Sequence, residues 1–171
     1  MKFDVKIEQD TKELDRLIQT FKDTKIVNVG VIGGEQQDGM PLAAIGLVQE
    51  VGSITNNIPK RSFIKEPLLA HLGEKIKKQK SKLAQYLFVE KKIDEAYNLM
   101  GNTAVNIIVR SFRNKNDGKW APNAPITING GWMKNKKSGK LIKIKGKKKD
   151  NPLINTGKLR QSITFELIDK K

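Results

Sequence analysis

Nine of the sixteen residues from Lys134 to Lys149 are lysine, and no acid interrupts them. These are Lys134, Lys136, Lys137, Lys140, Lys143, Lys145, Lys147, Lys148 and Lys149. Left alone such a run repels itself, so its chemistry is attraction to something anionic. Against DNA it would displace counterions and bind with a steep salt dependence. Base specificity would be absent, because lysine lacks the forked donors that read base edges. Trp120 and Trp132 accompany the run and can either stack on bases or bury on a partner or on the body of the protein. A protein-contacting arm is the favoured reading, ahead of direct nucleic-acid binding.

Other chemistry lacks residues. There is no cysteine, hence no disulfide framework or thiolate, and the single histidine, His71, has no second histidine or cysteine to complete a metal site. Ser53, Ser62, Ser81, Ser111, Ser138 and Ser162 lack nucleophile-elbow surroundings, and "NVGVIGG" lacks the Walker pattern. Asp94-Glu95, the one adjacent acidic pair, sits beside Lys91 and Lys92 as solvated helical charge. The expectation is a non-enzymatic protein with no catalytic residue, metal or cofactor.

The formal charge of +15 is unevenly spread: residues 1–50 carry six Lys/Arg and nine Asp/Glu, residues 51–171 carry 27 and nine. A chain of 171 residues is most simply one domain, able to bury about 68–70% of its unfolded surface. The N-terminal "MKFDVKIEQD" has no apolar signal core and no run is long enough to cross a bilayer, so no membrane partner and a cytoplasm-like site of assembly are expected.

The elements that must hold the lysines follow from periodicity. Phe3, Val5 and Ile7 alternate as a strand; Leu14, Leu17, Ile18 and Phe21 repeat as a helix, with Asp10 or Thr11 as cap and Glu13 in capping-box position; Val27, Val29 and Val31 alternate again. "PLAAIGLVQEVG" reads as a short helix with Pro41 in its first turn and Gly52 as a left-handed cap. Turns follow, then an amphipathic helix from about Pro67 with Leu69, Leu72, Ile76, Leu83 and Leu87 on one face, and another near 91–112 with Ile93, Tyr97, Met100, Ala104, Ile108 and Phe112. The two can also be one bent element, and Gly101 in the second implies the close crossing of another backbone. Residues 114–150 read as an extended, partly mobile loop and a lysine-rich hairpin arm turning at Ser138-Gly139. In "NPLINTGKLRQSITF", Pro152 ends the arm, Asn155 and Thr156 cap a helical turn, and Ile163, Phe165 and Leu167 alternate as a strand. There is no internal repeat. The class is α+β: a small, mostly antiparallel sheet against two long helices, with a projecting basic arm.

Several phrases, taken in order, resemble the tail-completion or head–tail joining proteins of tailed bacteriophages, including the virion morphogenesis family of Mu-like phages. "AAIGLVQEVGSITNNIPKRSF" supplies Ala44, Glu50, Gly52, Ile58, Pro59, Arg61 and Phe63; "WAPNAPITI" supplies a Trp-x-Pro, Ala-Pro, Thr-Ile loop; the arm and closing phrase supply Pro152, Thr156, Gly157 and Leu159. The resemblance spans about residues 41–167, with departures at Gln49, Ser62 and Asn155, where the family often has His, Pro and Asp. It implies a structural virion protein of the neck, assembled in the host cytoplasm. Such subunits commonly form six-fold rings, contact connector, tail-terminator and other neck proteins, and surround the DNA channel. A tail-terminator or head-proximal adaptor role belongs to the same reading. The alternative is a freestanding, sequence-nonspecific nucleic-acid-binding protein.

Overall fold

The computed structural model describes residues 12, 15, 25–34, 36–37, 39–135, 138–154 and 157–170. The expected first strand (Phe3, Val5, Ile7) and the helix through Leu14, Leu17, Ile18 and Phe21 fall outside these, as do Lys136, Lys137, Asn155 and Thr156. In chain order the elements are β1 (Lys25–Val31), β2 (Gln36–Gln37), β3 (Met40–Pro41), α1 (Leu42–Val51), α2 (Lys65–Lys78), α3 (Lys80–Ala84), a π-helical turn (Gln85–Val89), α4 (Ile93–Asn114), α5 (Pro125–Asn129), β4 (Gly131–Lys134), β5 (Leu141–Ile144), α6 (Lys158–Gln161) and β6 (Ile163–Asp169). The fold is α+β, and its described strands form three separate antiparallel pairs, β1–β6, β2–β3 and β4–β5.

β1 and β6 join the two ends of the described chain. Val27 faces Leu167, Val29 faces Phe165 and Val31 faces Ile163, so the two alternating apolar sets share one side of the ribbon and lie on α4. The first residue of β1 is pinned there as well: the Lys25 amide donates to the Tyr97 hydroxyl (3.1 Å) and its ammonium pairs with Asp94 (2.6 Å). Gly101 of α4 lies directly against the ribbon. A methyl group there would overlap the Phe165 ring, so what presses on this glycine is an aromatic side chain, not the backbone expected.

α2 packs antiparallel-fashion across α4 as a separate element. The helical run ends at the π-helical turn, and Lys91 adopts φ +56° before α4 begins. Leu72, Ile76, Leu83 and Leu87 are buried or half-buried as the spacing predicts, but Leu69 is 77% exposed and Leu68 packs on the core in its place. At the start of α4 stand Asp94 and Glu95, and Arg113 lies in its last turn, charges that suit the helix dipole. His71 is half-buried on α2 with its Nε2 2.9 Å from Asp117 Oδ2.

Beyond α4 the chain is more ordered than a long loop. Lys115, Asn116, Asp117 and Gly118 all have positive φ, from 51° to 81°, making a left-handed turn that costs L-residues about 1–2 kcal/mol each. Asn116 offsets part of this, buried with its amide nitrogen 3.3 Å from Glu66. The turn drops Trp120 into the core among Phe63, Ile108, Phe112, Leu159 and Ile163. Phe112 meets both Phe63 and Trp120 edge-on, at 5.3 and 5.7 Å between centroids.

Candidate functional site

α1 ends at Gly52, whose N–H donates to the Val48 carbonyl (2.8 Å). Its φ of +80° comes with ψ 174°, an extended glycine-only conformation and not the left-handed cap expected; a Cβ there would lie 2.9 Å from the Lys60 nitrogen. A tight loop, closed by paired bonds between Ser53 and Ile58, then returns the chain past α1 through the exposed Pro59 to Arg61, Ser62 and Phe63. The return places Glu50 at the start of α2. Its Oε1 accepts from Ser62 Oγ (2.6 Å) and the Lys65 amide (3.0 Å), its Oε2 from the amides of Phe63 (2.7 Å) and Ile64 (3.0 Å). Ser62 Oγ in turn accepts from the Glu66 amide (3.1 Å). Glu50 thus caps a helix other than its own. Burial works against its charge, but the bonds from Ser62, Ile64, Lys65 and Phe63 prevail and hold the carboxyl below the ordinary carboxylate range.

Arg61 and Trp120 tie this corner to the next phrase. Arg61 Nε and Nη2 donate to the carbonyls of Ala121 (2.9 Å) and Pro122 (2.8 Å), and Trp120 Nε1 donates to the Ser62 carbonyl (2.9 Å). Trp120 is 5% exposed, which removes it from the contact candidates: its indole is a core anchor. Asp150 closes the corner, accepting from the Asn123 amide (2.8 Å) and from Lys115 Nζ (3.0 Å). Those two bonds, the Asn123 one first, hold its carboxyl below the usual value.

From this corner projects the arm. Its strands pair Trp132 with Lys143, Met133 with Ile142, Lys134 with Leu141 and Gly131 with Ile144. Side chains alternate across a strand, so Trp132, Lys134, Leu141 and Lys143 share one face and Met133, Ile142 and Ile144 the other. The turn is where Ser138-Gly139 placed it: Gly139 has φ +69° and its N–H donates to the Asn135 carbonyl (2.8 Å). At the base, Gly130 and Gly146 cross so closely that a Cβ on Gly130 would stand 2.7 Å from the Gly146 nitrogen. The amides of Lys147 and Lys148 then donate to the carbonyls of Thr127 (3.0 Å) and Ile128 (2.9 Å), fastening the arm to α5.

Among the described residues nothing covers the Trp132 face of the arm: Trp132 is 65% and Leu141 68% exposed, while Met133 and Ile142 on the other face are less so, and an isolated two-stranded hairpin is marginally stable at best. Lys134, Lys140, Lys143, Lys145, Lys148 and Lys149 are exposed, with no ion pair among the described residues. Lys143 Nζ stands 6.0 Å from the Trp132 centroid. Lys147 is exposed as well, but its ammonium donates to the Ile154 carbonyl (3.2 Å), and desolvation, then the charge of Arg61, pull its pKa below the usual lysine value.

The closing phrase anchors the arm's exit. Pro152 is buried, Leu153 and Ile154 pack on the core, Gly157 has φ +83° at the start of α6, and Leu159 and Ile163 are core residues. Thus Glu50, Gly52, Arg61, Phe63, Trp120, Gly157 and Leu159 meet around one corner, while the exposed lysines and Trp132 stand on the arm beyond it. Among the described residues no helix is long and apolar enough to cross a membrane. No family model matches the chain, nor does any curated protein or solved structure.

Proposed function

We propose that this chain is a structural subunit of a tailed-phage neck, a tail-completion or head–tail joining protein that assembles with copies of itself, six-fold as in the family it resembles, between connector and tail. It is a scaffold and not an enzyme. The observation that carries the reading is convergence. Three phrases far apart in sequence, around Glu50–Phe63, Trp120–Pro122 and Pro152–Leu159, carry the resemblance; hydrogen bonds join the first two, core packing of Leu153, Ile154 and Leu159 adds the third, and the arm projects from the corner they form. A ring subunit needs a rigid body and a reaching element that is completed by a neighbour, and closed rings arise from such head-to-tail contacts. Lysines along the arm add encounter rate and register more than affinity.

Density for the whole chain in intact particles tests this. The expected result is a ring at the head–tail junction with each arm against the adjacent subunit or layer; particles that lack the chain would remove the proposal. The exposed, unpaired lysines favour a second reading, nonspecific contact with nucleic acid. Changing Lys143, Lys145, Lys148 and Lys149 together to Gln should then lower DNA affinity and flatten its salt slope by about 0.9 per lost phosphate contact. Unchanged affinity at moderate salt would dismiss that reading and leave the neck proposal as it stands.

A further inference from the structure

A cleft of about 220 Å³ opens between α1, the Asn123 loop, the arm's base and the closing phrase, far above the ~10–15 Å³ that one water requires. Arg61 and Lys147 both line it, and Arg61 is 7% exposed. The Arg61 guanidinium is bonded through Nε and Nη2 to neutral carbonyls, and Nη1 has no bond among the described residues. The acid whose field reaches Arg61 is Asp150, whose carboxylate is already shared between Lys115 and the Asn123 amide. Two further polar atoms in the lining, Asn123 Nδ2 and Gln49 Oε1, are buried with no hydrogen-bond partner among the described residues.

Buried polar atoms are rarely left without partners, and buried cations rarely without an anion. The missing groups define the ligand: an anion for Arg61, Lys147 and Asn123 Nδ2, with a hydrogen-bond donor beside it for Gln49 Oε1. A phosphodiester offers acceptors only, and a duplex presents its phosphates on a convex surface that does not enter a recess around a nearly buried arginine. An aspartate or glutamate on a protein segment supplies both, its carboxylate to the cations and a backbone N–H to Gln49. We propose that this cleft is a receptor for the carboxylate of an acidic protein segment, with Arg61, Lys147, Asn123 and Gln49 as its binding residues. Arg61 thereby holds the Ala121-Pro122 loop on one side and the incoming carboxylate on the other. All four binding residues come from one chain, so the inference stands whether or not the chain belongs to a phage neck.

The test is titration of the isotope-labelled full chain, followed by NMR at the Asn123 side-chain amide and the Arg61 Nε–H, at constant ionic strength. The probes are acetyl-Ala-Asp-Ala-amide, its neutral Asn counterpart, inorganic phosphate and a short DNA duplex. Saturable shifts with the Asp peptide and none with its Asn counterpart are expected. Lys147→Gln should weaken that binding about tenfold, the loss of one charge-assisted hydrogen bond, and Asn123→Ala should weaken it by a smaller factor if the first variant folds poorly. Saturation by phosphate or duplex but not by the Asp peptide would make the cleft a nucleic-acid site and overturn the proposal. So would equal response to both peptides, or no saturation by any probe, which would leave a water-filled cleft.

Discussion

The Glu50 corner and the arm lie side by side and treat their side chains in opposite ways. Around Glu50 each carboxylate oxygen accepts two bonds from the chain itself, the Trp120 indole finds the Ser62 carbonyl, and Phe63, Phe112 and Trp120 stack edge to face. On the arm a tryptophan and a leucine stand about two-thirds exposed, amid lysines with no ion pair among the described residues. Composition alone does not distinguish these tryptophans, since both sit near the same lysines. What separates them is whether the chain supplies a partner. The corner is satisfied within the chain, whereas the Trp132 face of the arm has no cover among the described residues, which is what a partner-contacting arm, as proposed, requires.

The largest way to break that contrast is to remove the buried tryptophan. Trp120→Ala should cost about 3–5 kcal/mol, the usual price of an aromatic-to-alanine change in a core, read as a lowered denaturant midpoint. A loss below ~1 kcal/mol would return Trp120 to the surface and erase the difference between the regions.

Glu50→Gln comes next. It keeps the shape but leaves amides short of a charged acceptor, so about 1–3 kcal/mol is expected, toward the lower end because the site is half-buried and water reaches it. The sign with pH follows from the lowered carboxyl. Its bonds contribute fully above the ordinary value of 4.5, and that contribution is lost as pH falls from there through the lower folded-state value. The variant should lose part of the acid-side decline in stability, Asp150 retaining another part. Identical acid profiles for both proteins would show that Glu50 does not cap α2 as a carboxylate.

Gly157→Val tests the arm's exit. Its left-handed φ of +83° is strained for valine by about 1–2 kcal/mol. The nearest atom to an added Cβ is Gln161 Nε2 at 3.7 Å, so strain and not collision sets the effect. Gly157→Asn, which tolerates this region, should recover much of the loss in a thermal melt. Equal loss from both would point to crowding that the structure does not contain.

Local pattern carried much of this fold. β1 and β6 alternate strictly, so their apolar faces were readable, and the arm's turn was fixed by a glycine that must take positive φ. What was not readable depends on contacts across the chain. Glu50 caps a helix that starts fifteen residues later, and no capping rule written for neighbouring positions reaches that far. Gly101 answers to Phe165 on the last strand. Trp120 could not be assigned to the core before the left-handed turn at Lys115–Gly118 aimed it there. The cleft at Arg61 was hidden for the same reason: its four polar groups come from four separated stretches. Arg61 was singled out only through resemblance, without a role.

The smallest effect on stability should come from the arm, and its smallness is the point. In Trp132→Ser with Leu141→Ser, two exposed side chains of one face lose only contacts with solvent, each other's surroundings and Lys143. Exposed changes of this kind usually shift stability within about 0.5 kcal/mol, and loss of an exposed cation–π contact adds ~0.5–1 kcal/mol at most to the hairpin itself. The melt of the body should therefore stay close to that of the parent chain. If the proposed function holds, self-association or incorporation into particles should fall sharply, because an exposed aromatic beside an aliphatic residue is what a partner's pocket would take up. If assembly survives with the melt unchanged, the arm is not the contact, and the exposed lysines would be left to act alone. If instead the body melts several degrees lower, the arm belongs to the fold, and the contrast with the Glu50 corner fails.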